Sequence, residues 1–204
     1  MTITYDTMDF GVLPQSGAYV SATAQAFGLG GAAKWTALSL GGGAAFPVGG
    51  SGSLIVEGGF GIAQGFGGYK MRVTDRAMAG GTGPRGFAYG GIGPADTNGT
   101  NTTHLGGQKF ASATVEMRLP LHKFGNSQII GHAFADAGSV WGLEQTTGGF
   151  LANVDDSAFA NRSVGLGLSW KGPAGVFSVT YAKPLAKRTT DIVEPIQFGF
   201  STNF

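Results

Sequence analysis

One arginine lies in the glycine-rich stretch GPRGFAYGGIGPAD, which covers residues 83–96. Arg85 is placed between Pro84 and Gly86 in a chain of which only 12% of residues are charged. A guanidinium has N–H donors and no acceptor, so wherever water is scarce it needs several oxygen atoms as partners. The sequence therefore predicts that acceptor groups elsewhere in the chain bind Arg85.

The other chemically active residue types form no catalytic or metal-binding pattern. His104, His122 and His132 lack the spacing of metal ligands, and no serine, histidine and acid are arranged as a triad. The glycines of GGFGIAQGFGG, residues 58–68, would suit a phosphate-binding loop only if a helix followed, and no helical pattern does. We expect no enzymatic activity, no cofactor and no metal site.

The composition indicates that much of the surface does not face water. The 204 residues include 38 glycines and 15 phenylalanines, and the charged fraction of 12% lies well below the ~25% of ordinary soluble domains. A net charge of +1 provides no basic surface for nucleic acid. No segment approaches the roughly 20 apolar residues of a membrane-spanning helix, so a chain of this kind that spans a membrane does so with strands.

Alternation of apolar and polar residues runs through most of the chain. In KFASATVEMRL, residues 109–119, the odd-numbered positions are mostly apolar and the even-numbered positions mostly polar. The stretch 67–108 is predicted to be a long loop, and 46–53 and 171–175 are predicted to be turns. The pattern indicates an all-β, antiparallel fold of about nine strands, near residues 2–6, 18–27, 33–46, 53–66, 109–119, 129–141, 162–171, 175–184 and 196–204.

Two architectures share this alternation. In a soluble β-sandwich the apolar face points to a core, whereas in an outer-membrane barrel it points to lipid and the polar face lines a lumen. The polar faces here consist mainly of Gly, Ser, Thr and Asn, which suits a confined lumen better than a solvated sheet. The sequence favours a transmembrane β-barrel, with a soluble β-sandwich binding module as the alternative.

Five segments resemble, in order, the C-terminal half of the barrel in the BamA/TamA type of outer-membrane assembly proteins, the bacterial surface antigen family. The mitochondrial sorting-and-assembly barrel is a relative. The resemblance covers about residues 79–204 and extends to the start less closely. It implies a barrel domain over 1–204. The sequence departs from the family in that no periplasmic repeat domains are expected in these residues and about nine strands stand against the family's sixteen. The segments are GGTGPRGFAYGGIGPAD, LGGQKFASATVEMRLPL, GHAFADAGSVW, SVGLGLSWKGPAGVFSVTYAKPLAK and IQFGFSTNF.

In that family an Arg-Gly-Phe motif on a long loop folds back into the barrel, and its arginine pairs with acids of the lumen wall. Here the motif lies in the loop 67–108, and Pro84 stands where the family usually has valine. The alternation independently puts Glu116 on the polar face. In the alternative interpretation, Arg85 is a solvated loop residue and Glu116 an ordinary wall residue. The residues that match this latch are Arg85, Gly86, Phe87, Glu116 and Asp136.

The last segment, QFGFSTNF, has apolar residues at alternate positions and a terminal aromatic residue. It is similar to the signal by which outer-membrane barrels are recognised for assembly. An edge strand of this kind presents unpaired N–H and C=O groups that another strand can bind. The alternative is a closing strand with a lipid-facing stripe. The residues assigned to the signal are Gln197, Gly199, Phe200 and Phe204.

The resemblance implies that the protein inserts other β-barrels into the outer membrane, or assists protein export across it, through a lateral seam between its first and last strands. The implied partners are outer-membrane lipid, unfolded barrel clients, other assembly subunits or a second barrel-forming chain, without nucleic acid or cofactor. The alternative is a passive pore or structural barrel. The implied location is the bacterial outer membrane, with the mitochondrial outer membrane as the alternative.

Overall fold

The computed structural model describes residues 1–9, 11–28, 30–81, 83–97, 102–144 and 154–202. Within these residues nine strands form one antiparallel sheet, in which each strand pairs with the next sheet strand along the chain. Two short strands, β5 (Ala95–Asp96) and β6 (Thr103–His104), form a separate hairpin in the loop between β4 and β7. The sheet strands are β1 (Thr2–Asp6), β2 (Ala18–Phe27), β3 (Trp35–Val48), β4 (Gly52–Gly65), β7 (Lys109–Phe124), β8 (Ser127–Trp141), β9 (Asn161–Gly172), β10 (Gly175–Ala186) and β11 (Ile196–Ser201).

The predicted antiparallel fold of nine strands is confirmed, and the differences lie at the strand ends. Strand β7 continues past the expected end at residue 119 to Phe124, because its register with β8 shifts directly after Pro120. A bulge lets a strand pass a residue that has no N–H to donate. The predicted turn 46–53 shrinks to 49–51, where Gly49 and Gly50 have φ angles of +59° and +81°.

The two faces of the sheet differ as the alternation predicts. On β7, Val115 is 45% exposed whereas the next residue, Glu116, is 4% exposed. On β9, Leu166 is 65% exposed whereas Ser163 is 1% exposed. We call the open, apolar face the outer face and the opposite one the inner face. An uncovered apolar face suits lipid, since a sandwich would bury it in a core.

The loop between β4 and β7 folds against the inner face, where Phe87 and Ile92 are fully buried. The sequence predicts 67–108 as a long loop without strands. The structure differs, because this loop contains the β5–β6 hairpin and a 3-10 turn at Val73–Asp75. His104 of the hairpin lies 3.1 Å, Nε2 to carbonyl O, from Thr190 in the β10–β11 connection. The loop is therefore fastened to the wall on more than one side.

The connections differ at the two ends of the sheet. The short turns 49–51, 125–126 and 173–174 and the β1–β2 connection, residues 7–17, share one end, and the longer connections share the other. Bacterial barrels turn their short connections to the periplasm and their long loops outward. The edges of the sheet are β1 and β11, which do not pair with each other in the described part of the chain. No helix among the described residues is long and apolar enough to cross a membrane.

Candidate functional site

Asp136 of β8 holds Arg85 through three hydrogen bonds. Arg85 Nε donates to Oδ2 at 2.8 Å and Nη2 donates to Oδ1 at 2.9 Å, a bidentate pair. The backbone N–H of Arg85 also donates to Oδ2, at 3.0 Å. The Asp136 side chain is 1% exposed, so these charge-assisted bonds form away from bulk water. Asp136 therefore positions both the side chain and the main chain of Arg85.

Glu116 of β7 receives the remaining arm of the guanidinium. Arg85 Nη1 donates to Glu116 Oε2. The other carboxylate oxygen, Oε1, accepts from Arg118 Nε at 2.5 Å and lies 2.9 Å from His132 Nδ1. One buried carboxylate thus joins two arginines and a histidine. A buried charge is tolerated when it is paired and hydrogen-bonded in this way.

The guanidinium of Arg85 is also covered by an aromatic ring. Its Cζ atom lies 3.4 Å from the centroid of the Phe134 ring, a cation–π contact. Burial alone would lower the pKa of Arg85, but the hydrogen bonds and charges of Asp136 and Glu116 outweigh it and raise the pKa above its ordinary value. Arg85 therefore stays charged throughout the physiological pH range.

Two side chains besides Asp136 bind the main chain of the Arg-Gly-Phe motif. Ser163 Oγ of β9 donates to the Arg85 carbonyl at 2.6 Å. Gln197 of β11 accepts from the Gly86 N–H at 3.3 Å and donates to the Phe87 carbonyl at 2.9 Å. With the two carboxylates, the motif is bonded to β7, β8, β9 and β11. A flat sheet would hold β7 and β11 about 19 Å apart, so the sheet curves around the motif.

The glycine and the phenylalanine of the motif fit the inner wall closely. Gly86 has a φ of +89°, which L side chains rarely adopt, and a Cβ there would lie 2.9 Å from the Cβ of Ala182 on β10. Phe87 is 0% exposed. Beside it, Pro84 packs so closely that a Cβ on Gly138 would lie 2.5 Å from the Pro84 ring. Glycine is therefore required where the wall and the motif approach each other.

The β10–β11 connection, residues 187–195, adds backbone pairing to the same loop. The N–H of Glu194 donates to the Gly86 carbonyl at 3.0 Å, and the N–H of Ala88 donates to the Ile192 carbonyl at 3.0 Å. The N–H of Ile192 donates to the Gly91 carbonyl at 2.9 Å. The contacts between the loop and the wall thus continue along this connection up to the start of β11.

Arg118 joins the site to a segment at the opposite end of the sheet. Its Nη1 donates to the carbonyl of Val12 in the β1–β2 connection, at 2.8 Å. The same connection is held by Ser53, whose Oγ donates to the carbonyl of the buried Pro14. A continuous chain of polar contacts thus runs from the long loop to the β1–β2 connection, in the order Arg85, Glu116, Arg118 and Val12.

A cavity of about 1380 Å³ lies beside these contacts on the inner face. Tyr89 of the loop, Gln197 and the small polar residues of β10 and β11 line it. In the described part of the chain, no group of three or more His, Cys, Asp or Glu residues is placed to hold a metal ion. The charged groups of the site are paired with one another, so the arrangement is suited to hold a loop against a wall.

The five residues matched to the latch meet in this one site. Gln197, assigned from sequence to the terminal signal, has its side chain on the loop, while Gly199 lines the cavity and Phe200 is 65% exposed on the outer face. Phe204 lies outside the described residues, and the signal role of this strand stays a prediction. Sequence reasoning gave no role to Arg118, His132, Phe134 and Ser163, although the alternation places Arg118 on the polar face.

A sheet with a lipid-compatible outer face, a polar inner face and an arginine latch defines the wall of an outer-membrane β-barrel. The sequence-family model of the Omp85 superfamily domain matches residues 1–204 of this chain. The chain therefore belongs to the Omp85 superfamily. The predicted resemblance and the outer-membrane location are thereby confirmed.

Two curated relatives are named outer membrane protein assembly factor BamA. The protein of Neisseria meningitidis serogroup B is 31% identical over 180 residues, which cover 78% of this chain and 22% of that protein. The protein of Neorickettsia risticii is 34% identical over 120 residues, 59% of this chain and 15% of that protein. A SAM50-like protein of Schizosaccharomyces pombe is 30% identical over 213 residues, 100% of this chain and 43% of that protein. The chain spans less than half the length of each.

A solved structure has the same fold. The crystal structure of BamA from Haemophilus ducreyi lacking POTRA domains 1–3 matches with a TM-score of 0.80 over 97% of this chain and 40% of that chain. The sequences are 23% identical, so this likeness establishes the fold alone.

Proposed function

We propose that this chain forms the latch-bearing part of a barrel that assists the insertion of β-barrel proteins into the outer membrane, or protein export across it. The observation that carries the proposal is the bonding of one Arg-Gly-Phe motif to β7, β8, β9 and β11. A passive wall needs no loop fastened to its terminal strand. An assembly factor needs such a strand to be both open at its edge and held in place.

The proposed mechanism uses the edge of β11. Gln197 holds this strand from the inside, while Phe198 and Phe200 are 72% and 65% exposed on the outside. An incoming client strand pairs with the free backbone groups of the edge by β-augmentation. Backbone pairing and burial of the client's apolar face in lipid supply the free energy, since unpaired backbone groups in hydrocarbon are costly. The reaction needs no cofactor, and the protein is not an enzyme.

The other edge, β1, has the same chemistry. Ile3 and Tyr5 are 61% and 72% exposed on its outer side. We propose that further strands, from the same protein or from a second barrel-forming chain, continue the wall from β1 and meet β11 at a lateral seam, which opens to admit the client strand. The partners are then outer-membrane lipid, unfolded barrel clients and other assembly subunits.

The test is a reconstitution of the protein into lipid vesicles with a urea-unfolded, eight-stranded client barrel. The client's folded fraction is followed by its heat-modifiable migration on gels. We expect wild type to accelerate client folding, Arg85→Ala to lose most of the acceleration, and Arg72→Ala to retain it, because Arg72 is exposed and outside the latch. Equal folding rates in vesicles with and without the protein contradict the proposal, and an ion conductance without acceleration would favour a passive pore.

A further inference from the structure

Acidic residues of the described sheet strands are confined to one of the two faces. The acidic residues of the described sheet strands all lie on the inner face; they are Asp6, Glu57, Glu116 and Asp136. The outer face carries basic residues at the loop end of the sheet and no acid; they are Lys109, Arg162 and Lys183. The lipid-facing side of this wall therefore has a purely positive charge.

Arg162 and Lys183 are close neighbours on that face. Lys183 pairs with Val164 across β9 and β10, and Arg162 pairs with Ala186, so the two cations are diagonal neighbours. Diagonal positions on one face of an antiparallel pair lie about 7–8 Å apart. Two long basic side chains at that separation reach a single phosphate group.

Neither of these cations is neutralised within the described part of the protein. Both are exposed, and neither has a hydrogen bond or an ion pair there. The arginines of the inner face behave differently, since Arg85 and Arg118 are both paired with carboxylates. An unpaired cation pair at a membrane surface attracts the anionic headgroup of a lipid.

The depth of the two residues fits a membrane interface. Arg162 lies at the loop end of β9, and Lys183 lies near the loop end of β10. The residues that follow below them on the outer face are apolar, with Leu166 65% exposed and Tyr181 58% exposed. A cation on the lipid face is tolerated near the interface and unfavourable at the midplane. The loop end of a bacterial barrel faces the outer leaflet.

An apolar groove of about 590 Å³ continues this face toward the middle of the membrane. Leu119 and Leu121 of β7 line one side, Leu166 and Leu168 of β9 line another, and Ala133 of β8 lies between them. Leu166 belongs both to the groove and to the apolar band below Arg162. A ligand with a phosphate at one end and a hydrocarbon chain at the other matches this order of surfaces.

We propose that Arg162 and Lys183 bind the phosphate of an outer-leaflet glycolipid whose acyl chain lies against Leu166 and enters the groove. The guanidinium of Arg162 pairs with two phosphate oxygens, and the ammonium of Lys183 binds as a point charge. The bound lipid belongs to the barrel wall between β8 and β10. This site does not depend on the proposed assembly activity.

The probe is bis-phosphorylated lipid A in neutral detergent, with binding to the folded protein measured by native mass spectrometry. We expect the double variant R162Q/K183Q to lose lipid A affinity by about tenfold or more. The matched control K123Q/K171Q removes two charges at the short-turn end and keeps wild-type affinity. Heat-modifiable migration on gels verifies that both variants are folded.

Two further lipid probes are used. Dephosphorylated lipid A tests the contribution of the phosphate against that of the acyl chain, and phosphatidylglycerol tests whether lipid A is preferred over other anionic lipids. Dephosphorylated lipid A should bind wild type and R162Q/K183Q equally and weakly, and phosphatidylglycerol should bind wild type less tightly than lipid A does. Ala133→Leu fills the groove and should weaken lipid A with and without phosphates. Three results would each overturn the proposal. The first is an unchanged lipid A affinity in R162Q/K183Q, and the second is an equal affinity of wild type for lipid A with and without phosphates. The third is an equal affinity of wild type for lipid A and for phosphatidylglycerol.

Discussion

The Asp136 carboxylate accepts hydrogen bonds from both the backbone and the side chain of Arg85. The Arg85 backbone N–H lies 3.0 Å from it, and the guanidinium atoms Nε and Nη2 lie 2.8 and 2.9 Å from it. The backbone bond fixes the position of the loop against the wall, and the two side-chain bonds orient the guanidinium toward Glu116. Loss of the arginine side chain therefore removes the ionic contacts of the loop and leaves its backbone bond to Asp136 in place.

Arg85→Ala should destabilise the folded protein by about 3–5 kcal/mol, because it leaves two buried carboxylates with one cation fewer. Arg85→Lys should recover less than half of this loss, since an ammonium cannot pair side-on with Asp136 and bond Glu116 from the same plane. The measurement is the denaturant midpoint of the heat-modifiable folded band in detergent.

Arg72→Ala is the matched control, because Arg72 is an exposed residue of the same loop. Arg76 is unsuitable, since its guanidinium donates to the carbonyls of Leu105 and Met71. Equal, small losses for Arg85→Ala and Arg72→Ala would mean that the ion pairs contribute nothing to the stability of the wall.

Much of the wall was readable from the sequence, because alternation with a period of two assigns a face to every strand residue. That rule places Glu116 on the polar face and Val115 on the apolar face without any knowledge of strand pairing. The resemblance supplied the partner of Glu116, since neither period nor spacing connects residue 116 with residue 85. The register that brings Asp136 to the same arginine depends on strand pairing between distant segments.

The backbone contacts of the motif were not readable. Gln197 is more than a hundred positions from Gly86 in the chain, and its pattern marks only an inward residue on a terminal strand. Ser163 carried no signal beyond its face. The strand ends were also misjudged where a bulge lets β7 pass Pro120, because a proline normally argues against a continuing strand.

Gln197→Glu should weaken the hold of the loop on β11. A carboxylate still accepts the Gly86 N–H but has no donor for the Phe87 carbonyl, which then keeps only the Gly81 N–H, at 2.7 Å. The loss of one of the two hydrogen bonds to this buried acceptor costs about 0.5–1.5 kcal/mol. The measurement is hydrogen exchange of the loop amides near residues 86–88, which should speed up while the amides of β8 keep their rates. Ser178→Ala, on the neighbouring strand, is the control. Unchanged exchange near Gly86 in Gln197→Glu would show that other contacts hold the loop.

Gly86→Ala should be destabilising for two separable reasons. The backbone at φ +89° is unfavourable for alanine, at about 1–3 kcal/mol, and the new methyl lies 2.9 Å from the Ala182 Cβ. Ala182→Gly removes the close contact but leaves the backbone strain, so the double variant G86A/A182G should recover only part of the loss. Denaturant midpoints of the four proteins give the two contributions. Full recovery in the double variant would mean that the backbone angle itself is harmless.

Arg118→Gln should loosen the β1–β2 connection at the far end of the sheet, because the Val12 carbonyl loses its charged donor and Glu116 loses one cation. A cysteine at Leu13 should then react faster with a maleimide, by about tenfold if the bond to a charged group contributes ~1.5 kcal/mol. Lys123→Gln, in the same strand, should leave that rate unchanged.

The link through Glu116 also predicts that Arg118 and Arg85 are energetically coupled. Either single variant leaves this carboxylate with one arginine and His132, whereas the double variant R85A/R118Q leaves only the histidine. The loss of stability in the double variant should therefore exceed the sum of the single losses by about 0.5–3 kcal/mol. If the stability losses of the single variants, measured from denaturant midpoints, simply add in the double variant, the two arginines are not coupled. The loop and the β1–β2 connection would then be held independently.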